Sequence, residues 1–579
     1  MRVSHAISEA QAQAHALPAP ATVVEALDRL ATEQRYGFRF VGQSGRTQFI
    51  PHCEIRDEAF RRAAHLTARG LKKGDRIALV IADSADFVLS LFGAIAAGIV
   101  PVPISPFANA KSLDAYVSTV AAIVRRAKAK LLLTTTTTES LIRPVLAQFG
   151  EQEDILTTEE AFSGAAPDFQ PVKVSPDDLC FLQFTSGSTS APRGVEVTHG
   201  NLIANVNGFL GPGGFRRYPD DVGVSWLPLH HDMGLIGFVM GPMIINGPVV
   251  IISTSAFVRD PRIWLRTLHE YRGTVTYAPN FGYALATKRL RDSDIEALDL
   301  SCVRVAGCGA EPVHFQTLQK FAARLAPAGF RPEAFLPSYG LAESTLAVTL
   351  HKAGEPLRVE RVNLESLKRG NGAAANNGTE KISEMVSCGF PFADHDLRIV
   401  DKDGAVLPER SIGEIVVRGP SVARGYFDDA EATSATWRDG WLHTGDLGYL
   451  ADGELFVCGR IKDLIIVRGA NFYAHDIENA VRDLPSVRRG NVVAFAISGN
   501  GEDRLVLAAE ADAREVNGLR ESIATRVCDN FGIETHDVLL VPAGALPKTS
   551  SGKPRRQRIK ELYLNGQLKD ISTCQPRQT

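Results

Sequence analysis

Short apolar strands alternate with alanine-rich helices from about residue 60 onward. The pattern predicts a helix over 60–68, a strand over 76–81, a helix over 87–97 and a strand over 99–102. Such alternation is typical of a mainly parallel sheet with helices on both of its faces. The sequence therefore predicts an α/β fold.

Composition and charge favour small-molecule chemistry. Among the 579 residues, 63 Lys and Arg stand against 66 Asp and Glu, so no basic excess is present to neutralise a nucleic-acid backbone or an anionic membrane. The 8 cysteines contain no C-x-x-C pair, which argues against a zinc ribbon or a disulfide framework. A cysteine pattern of this kind fits a reducing cytosol, and we expect no nucleic-acid partner.

Two segments bear on targeting. Residues 1–20 lack the apolar core of a secretory signal, so a cytoplasmic location is expected. Residues 234–252 carry no charge, but Gly-Pro pairs at 241–242 and 247–248 divide them into a short helix, a turn and a strand. The interior of an α/β domain is therefore favoured over a transmembrane segment, and part of this run could line an apolar pocket.

The stretch FTSGSTSAPRG, residues 184–194, is rich in glycine and hydroxyl side chains. It follows an apolar strand and precedes Leu202, Val206 and Phe209, which recur at helical spacing behind Thr198. A strand, a loop and then a helix are predicted, with a loop whose backbone N–H groups converge on phosphate. The alternative is a flexible linker. The candidate phosphate contacts are Thr185, Ser186, Gly187, Ser188 and Thr189.

Two changes of pattern divide the rest of the chain. Residues 351–387 have little apolar periodicity and carry Gly and Asn clusters, which indicates a surface insertion. Beyond 459–469 the pattern becomes α+β, with a helix near 476–483 and strands at 491–496 and 504–509. We expect a large domain over 1–462 and a small one over 463–579.

Six further motifs follow the loop in order. They are WLPLHHDMGL (226–235), GCGAEP (307–312), SYGLAES (338–344), GWLHTGDLG (440–448), GRIKDLIIVRG (459–469) and PKTSSGKPRR (547–556). With the loop, they resemble the adenylate-forming (acyl-activating) enzymes. Three features resemble one branch of these enzymes, the fatty acyl-AMP ligases. They are the sequence IIVRGANFYAHDIE, the HHDMGL segment and the insertion, which ends at VSCG.

The resemblance implies a fold and a reaction. The fold has a large N-terminal domain of mostly parallel sheets and a small mobile C-terminal domain. The reaction uses ATP and Mg²⁺ to convert a medium- or long-chain fatty acid to an acyl-adenylate, and then passes the acyl group to a phosphopantetheine thiol. The expected acceptor is a holo-acyl carrier protein, or a carrier domain of a polyketide or peptide synthetase, since no carrier pattern follows Lys553. In this branch the insertion limits use of coenzyme A.

The resemblance also assigns catalytic roles. It places Lys553 on the carboxylate and α-phosphate oxygens, Thr185 beside the phosphates, Glu343 on magnesium and Asp463 at the pivot between domains. Without the resemblance, the sequence would indicate a surface glutamate at Glu343 and an ordinary turn aspartate at Asp463. The reaction chemistry supports the role of Lys553. A carboxylic acid with a pKa of about 4.3 is already ionised at neutral pH, so its attack on ATP needs cations rather than a general base.

Further residues are candidates for binding. Asp446 can accept hydrogen bonds from both ribose hydroxyls, and Arg460 adds a donor to the same sugar. Small side chains at Gly309 and Ala310 allow a purine close to the backbone, beside Tyr339. The other candidate nucleotide contacts are Glu311, Ser338, Gly340 and Leu341.

The resemblance places the HHDMGL segment at the mouth of the acyl pocket, with His230, Asp232, Met233 and Gly234 as substrate contacts. A metal site at His230, His231 and Asp232 is the less favoured interpretation, because adjacent side chains of an extended segment point to opposite faces. Two other functions stay open: a fatty acyl-CoA ligase, and a catalytically silent nucleotide- or lipid-binding relative. The intact set of Ser186, Glu343, Asp446, Arg460 and Lys553 argues against the silent relative.

Overall fold

The computed structural model describes residues 19–42, 45–107, 113–146, 154–185, 192–368, 382–467, 470–499, 502–512, 516–548 and 554–571. The predicted alternation is confirmed near the N-terminus by the helices His52–Ala68 and Ser84–Ala96 and the strands Arg76–Val80 and Val100–Pro103. The class is α/β, as expected.

The largest sheet of the described residues has nine strands. In spatial order they are Phe390–Pro391, Thr349–Leu350, Phe335–Tyr339, Val305–Cys308, Val275–Ala278, Gly223–Ser225, Val249–Ile252, Gly37–Val41 and Thr47–Pro51. The strands from Phe335–Tyr339 to Gly37–Val41 are parallel, and antiparallel strands flank them at both edges. Its middle strands are buried and rich in Val, Ile and Ala, as is usual for a parallel sheet covered on both faces.

A second, fully parallel sheet has four strands within the described residues, in the order Val100–Pro103, Arg76–Val80, Ala129–Thr134 and Asp154–Thr157. The strand Ala129–Thr134 ends in threonine, and the helix Thr136–Leu146 begins two residues later. The five consecutive threonines at 134–138 therefore span the end of this strand and the start of the helix.

A third sheet is antiparallel, and no strand prediction was made for it. Its strands are Asp396–Val400, Gly413–Arg418, Trp441–Ala451, Trp437–Arg438 and Glu454–Arg460. The last of these pairs with Trp441–Ala451 in a register that sets Arg460 opposite Asp446. This sheet therefore brings two of the predicted sugar-binding residues together.

The C-terminal region has a hydrophobic core of its own, which includes Ile477, Ile523, Val527 and Leu507. The predicted helix and strands are confirmed. The helix lies two residues earlier than expected, at Ala474–Val481, and the strands are longer, at Val487–Gly499 and Glu502–Ala511. The remaining elements here are the strands Leu464–Val467, Ala470–Tyr473 and Thr535–Val541 and the helices Leu519–Phe531 and Arg556–Leu564.

The remaining helices surround the sheets. They are Val23–Asp28, Leu113–Ala127, Thr158–Ala161, His199–Leu210, Asp232–Leu235, Gly241–Ile244, Thr254–Arg259, Arg262–Glu270, Asn280–Arg289, Asp292–Glu296, Phe315–Leu325, Leu364–Lys368 and Ala430–Thr436. Short 3₁₀ turns occur at Ala326–Ala328, Pro332–Ala334, Ala342–Ser344 and Ile461–Asp463, and Ile236–Met240 is a π-helical turn.

The segment after the glycine-rich loop corrects one prediction. The strand Leu179–Thr185 pairs antiparallel with a second strand, Arg193–Thr198, before the helix His199–Leu210 begins. The expected direct step from loop to helix was therefore wrong. Val195 and Val197 are both buried while Glu196 between them is partly exposed, and this alternation is a strand signal. Thr198 caps the helix, as predicted.

The uncharged run 234–252 folds as predicted, as short helical turns followed by the strand Val249–Ile252. Among the described residues, no helix is both long enough and apolar enough to cross a membrane.

The insertion differs from the surface segment that the sequence indicated. Its described ends form an antiparallel ladder between Val359–Asn363 and Ile382–Val386, followed on the first side by the helix Leu364–Lys368. Val362, Leu367 and Met385 pack with the third sheet, and Leu364 is buried in the core of the C-terminal region. These apolar residues are too few and too irregularly spaced to show periodicity. Residues 369–381 lie outside the described part.

Candidate active site

A cavity of about 2160 Å³ collects most of the predicted site residues. Residues of the large sheets line one side, and residues of the C-terminal region line the other. The predicted residues at its wall are Thr185, His230, Asp232, Met233, Ala310, Glu311, Ser338, Tyr339, Gly340, Leu341, Glu343, Asp446, Arg460 and Asp463. Gly234 and Gly309 lie behind the wall, while Ser186, Gly187, Ser188, Thr189 and Lys553 lie outside the described residues.

Asp446 is buried and held by two donors. Arg460 Nε donates to Asp446 Oδ1 at 2.9 Å, and the Tyr339 hydroxyl donates to Oδ2 at 2.8 Å. The neighbouring Asp446 carboxylate raises the pKa of the Arg460 guanidinium, so this charge is permanent. Because each carboxylate oxygen can accept more than one hydrogen bond, Asp446 can still receive two hydroxyl groups from a ligand.

The turn that carries Asp446 is fixed by Glu414, which the sequence did not single out. The backbone N–H of Gly445 donates to Glu414 Oε1 at 3.1 Å, and His443 Nδ1 lies 2.8 Å from Oε2. The Thr444 hydroxyl donates to the Ile415 carbonyl at 2.7 Å. The predicted turn is thus tied to the neighbouring strand at three points.

Glu343 stands on a 3₁₀ turn at the end of the strand Phe335–Tyr339. The Tyr426 hydroxyl donates to Glu343 Oε1 at 2.7 Å, and among the described residues Oε2 accepts no hydrogen bond. The Arg193 guanidinium lies 5.3 Å from the centroid of the Tyr426 ring, within range of a cation–π contact. Glu343 and Arg193 therefore both contact Tyr426, and both line the cavity.

The predicted adenine-binding turn approaches the neighbouring strand closely. A Cβ atom on Gly309 would lie 2.7 Å from Ser338 Oγ, so no larger residue fits there without a shift. Ala310 follows with φ of 70°, in the left-handed region. Asn280, which the sequence did not indicate, donates to Glu311 Oε1 at 3.0 Å and to the Pro312 carbonyl at 2.9 Å.

The HHDMGL segment is held by Gln183, whose amide donates to the His230 carbonyl at 3.0 Å. Burial lowers the pKa of His230 to about 3, so its imidazole is neutral at physiological pH. His231 Nδ1 lies 2.6 Å from Asp232 Oδ1. Among the described residues, no group of three or more His, Cys, Asp or Glu side chains could hold a metal ion.

The same cavity has apolar and aromatic lining residues, which we call the apolar channel. It is lined by Phe209, Phe215, Met233, Phe238, Tyr277 and Leu346. Of the uncharged run 234–252, Gly237 and Phe238 reach this wall, while the strand Val249–Ile252 is in the core. Gly307 lies directly under the Tyr277 ring, since a Cβ atom there would be 2.0 Å from Tyr277 Cζ.

The predicted pivot, Asp463, ends the 3₁₀ turn that follows Arg460. Its carboxylate pairs with Arg556, whose Nη1 lies 2.7 Å from Asp463 Oδ2. Arg556 is the last residue of the PKTSSGKPRR motif. In the structure its side chain is only 16% exposed.

Sequence reasoning missed five residues whose side chains hold the predicted site residues in place. They are Gln183, Asn280, Glu414, Tyr426 and Arg556. Each acts on a residue that is distant in the chain; Tyr426 and Glu343, for example, are 83 positions apart. Gln183 adjoins the glycine-rich loop and Arg556 ends the PKTSSGKPRR motif, so proximity to a motif was the available signal for these two.

Comparisons with known proteins agree with this architecture. The AMP-binding enzyme family matches residues 31–427, and the AMP domain of Disco-interacting protein 2-like proteins matches residues 462–573. A protein of Caulobacter vibrioides named "Putative acyl-CoA synthetase" is 38% identical over 562 residues, 95% of this chain and 96% of its own length.

Two further relatives carry more specific names. The medium-chain-fatty-acid–[acyl-carrier-protein] ligase JamA of Moorena producens is 33% identical over 88% of this chain and 89% of its own length. A solved structure from a study of fatty acyl-adenylate ligases of E. coli and L. pneumophila superposes with a TM-score of 0.89 at 34% identity, covering 94% of this chain and 98% of that one. The chain belongs to the AMP-binding enzyme family and, within the adenylate-forming enzymes, to the fatty acyl-AMP ligase branch.

Proposed function

We propose that this protein is a fatty acid:AMP ligase that passes its acyl group to a carrier protein. The observation that carries the proposal is one cavity in which a sugar-binding carboxylate, Asp446, opens onto an apolar channel. Adenylate-forming enzymes use ATP, and two of the relatives above are named for fatty acids or fatty acyl-adenylates. The expected products of the first step are an acyl-adenylate and pyrophosphate.

The first step needs charge compensation rather than proton transfer. A carboxylate oxygen of the fatty acid forms a bond to the α-phosphorus, while the bond from that phosphorus to the oxygen bridging to the β-phosphate breaks. Pyrophosphate leaves with the electron pair. Both reactants are anions at neutral pH, so cations must offset their repulsion. Arg193, which lines the cavity, supplies one of these charges, and we assign Lys553 as another.

The nucleotide is held at three places. Asp446 accepts the ribose hydroxyls, with Arg460 as a further donor. The turn at Gly309 and Ala310 receives the adenine, beside Tyr339, Gly340 and Leu341. The segment 185–189 receives the phosphates, with Thr185 at the end of its strand.

Glu343 fits a magnesium site. A hard divalent cation that is also bound by phosphates and water needs few protein oxygens, and Glu343 presents one that Tyr426 does not occupy. Bound there, Mg²⁺ would neutralise part of the phosphate charge. Tyr426 sets the orientation of the carboxylate that holds it.

The acyl chain of the substrate occupies the apolar channel, whose lining includes Phe209, Phe238 and Tyr277. Each methylene buried there contributes roughly 0.8 kcal/mol, so a medium- or long-chain acid gains affinity that acetate lacks. His230, Asp232 and Met233 stand at the mouth of this channel.

In the second step a thiol sulfur bonds to the acyl carbon, the bond from that carbon to the AMP oxygen breaks, and the thiol proton passes to water. We propose that the thiol belongs to the phosphopantetheine arm of a carrier protein. The packing of the insertion against the C-terminal region, through Leu364, supports restricted movement of that region and so restricted use of free coenzyme A.

The domain boundary is proposed after Lys462, with Asp463 as the pivot. The 3₁₀ turn Ile461–Asp463 separates the third sheet from the C-terminal core, and none of its residues is buried. A connecting segment with few packed contacts can change its backbone conformation easily, as a hinge requires.

A fatty acyl-CoA ligase is the second candidate, because the Caulobacter vibrioides relative is named for that activity. Incubation of the protein with ATP, Mg²⁺, a fatty acid and excess coenzyme A, with mass spectrometry of the products, separates the two. Acyl-AMP without acyl-CoA, together with acyl transfer to an added holo-carrier protein, is the expected result. Abundant acyl-CoA would replace the proposal with the second candidate, and the absence of any adduct would leave a binding protein.

A further inference from the structure

The guanidinium of Arg556 joins three separate elements of the C-terminal region. Nη1 lies 2.7 Å from Asp463 Oδ2, Nη2 lies 2.5 Å from Glu478 Oε1, and Nε donates to the Ala494 carbonyl at 2.9 Å. Each nitrogen of the planar group therefore has its own partner, which is a geometry that lysine cannot reproduce. Glu478 is fixed in turn, because its Oε1 also accepts the Ala494 N–H at 2.9 Å.

Arg556 lies three positions after Lys553, at the base of the segment 549–553. The two ends of this segment are joined by an antiparallel bridge between Lys548 and Pro554. Next to it, the Arg555 N–H donates to the Pro547 carbonyl at 2.9 Å. The chain therefore enters and leaves the segment at one place, and Arg556 is the first residue of the helix that follows.

The other side of this base is anchored separately. The Lys548 ammonium donates to Asn491 Oδ1, and the Asn491 amide donates to Glu510 Oε2 at 2.6 Å. Glu510 is 1% exposed and also accepts the Leu546 N–H at 3.2 Å. Two independent sets of contacts thus hold the base. Among the described residues, the set at Arg556 is the one that reaches Asp463, where the chain passes from the third sheet to the C-terminal region.

The contact between Arg556 and Asp463 connects the base of the segment 549–553 with the nucleotide-binding residues. Asp463 follows Arg460 by three positions, and Arg460 binds Asp446. Asp446 is therefore linked to Arg556 by two side-chain contacts and the three-residue step from Arg460 to Asp463.

We propose that Arg556 is a positioning residue, which fixes the base of the segment 549–553 to Asp463 and so sets where Lys553 stands relative to the Asp446–Arg460 pair. This inference rests on the proposed function, which gives Lys553 its role in adenylation. The competing explanation is an ion pair that only stabilises the C-terminal core. The two differ in whether the loss of Arg556 acts through Lys553.

The first test compares Arg556→Gln with the matched variant Arg520→Gln in the full-length protein. Arg520 also pairs with two carboxylates of the C-terminal region, Asp537 and Asp570, and is not among the residues that line the cavity. We expect Arg556→Gln to lower kcat for acyl-AMP formation by roughly 100-fold, since a displacement of about 1 Å can have this effect. KM for ATP should change little, and Arg520→Gln should keep the kcat of the wild type. An unchanged kcat, with only a lower melting temperature, would overturn the proposal.

The second test is a double-mutant cycle with Lys553→Ala. If Arg556 acts through Lys553, the double variant is no slower than Lys553→Ala alone. Losses that multiply would show independent action and contradict the proposal. Arg556→Lys should restore only part of the rate, because an ammonium group cannot engage three partners in one plane.

A readout without turnover separates this inference from the proposed function. Lys553 is labelled with an amine-reactive reagent and the extent is measured by mass spectrometry, with and without ATP and Mg²⁺. ATP should protect Lys553 in the wild type and fail to protect it in Arg556→Gln, whereas equal protection in both would overturn the inference. If the wild type forms no acyl-AMP while this difference remains, the proposed reaction is wrong and the positioning role stands.

Discussion

The Asp446 carboxylate is held in place by hydrogen bonds from within the protein. Arg460 and Tyr339 each occupy part of one carboxylate oxygen, and Glu414 fixes the turn behind it. A side chain held in this way loses little conformational entropy on binding, so its hydrogen bonds contribute more of their strength to affinity.

Asp446→Asn should therefore weaken nucleotide use strongly. Hydrogen bonds to a charged group contribute about 1.5 to 3 kcal/mol, so kcat/KM for ATP should fall by about 10- to 100-fold. Pyrophosphate exchange kinetics measure the effect. Asp396→Asn is the control, because Asp396 is 55% exposed on the same sheet and pairs with Arg418 away from the cavity. Equal losses in both variants would argue against a role in binding.

His199 predicts an acid-sensitive contact. Its Nδ1 accepts the Val23 N–H at 3.2 Å, and burial lowers its pKa to about 4. Because the unfolded chain takes up the proton near pH 6.5, stability is lost as pH falls from about 6.5 toward 4, by about 2 kcal/mol between pH 7 and pH 5.

Urea denaturation of the wild type and of His199→Gln at pH 7 and pH 5 tests this contact. The variant should lose less free energy of unfolding between the two pH values than the wild type does. His536→Gln, at an exposed position, is the control. An identical pH dependence in all three proteins would refute the assignment.

Sequence reasoning identified the residues that lie inside motifs and missed those that support them. Asp446 and Arg460 were predicted as partners at one sugar, and the strand register places them opposite each other. Asn280 and Tyr426 were not predicted, because their contacts with Glu311 and Glu343 depend on how distant elements pack. Local patterns carry no information about such pairs.

At the scale of elements, the alternating strands and helices near the N-terminus were predicted because each is apolar along a clear period. The strand Arg193–Thr198 was missed since it is short and adjoins a motif that drew the interpretation toward a helix. The antiparallel third sheet was not predicted either. Its strands are irregular, with a bulge in the pairing between Gly413–Arg418 and Trp441–Ala451.

Gly307→Ala tests how the strand Val305–Cys308 shapes the acyl channel. The new methyl group would overlap the Tyr277 ring, so the ring must move toward the cavity that it lines. We expect the free energy of unfolding to fall by about 1 to 3 kcal/mol, and kcat/KM to fall more for long acids than for short ones. Gly213→Ala, with no atom within 4 Å of its new Cβ, is the control. A uniform loss across chain lengths would show that Tyr277 does not limit the channel.

At the scale of the molecule, the insertion connects parts that the sequence treats as separate. Val362 and Leu367 pack with the third sheet, while Leu364 enters the core of the C-terminal region. The expected surface segment therefore acts as a brace between two parts of the protein, through the buried residues Val362, Leu364 and Leu367.

Leu364→Ala should loosen this brace. Removing the side chain should lower the free energy of unfolding by about 2 to 4 kcal/mol, and we expect the ratio of acyl-CoA to acyl-AMP to rise several-fold. Product ratios by mass spectrometry measure this change. Leu66→Ala, a truncation in the main core, controls for destabilisation alone. If both variants shift the ratio equally, the brace does not govern acceptor choice.

The ladder between Val359–Asn363 and Ile382–Val386 also makes the insertion a natural place to add sequence. The described elements next to residues 369–381 are the helix Leu364–Lys368 and the strand Ile382–Val386, so added sequence would lengthen only the connection between two anchored ends, at a small cost in entropy. A fluorescent protein or an affinity tag placed there would keep both ends attached. A protease cut at the same position would leave two fragments that remain held together by the ladder.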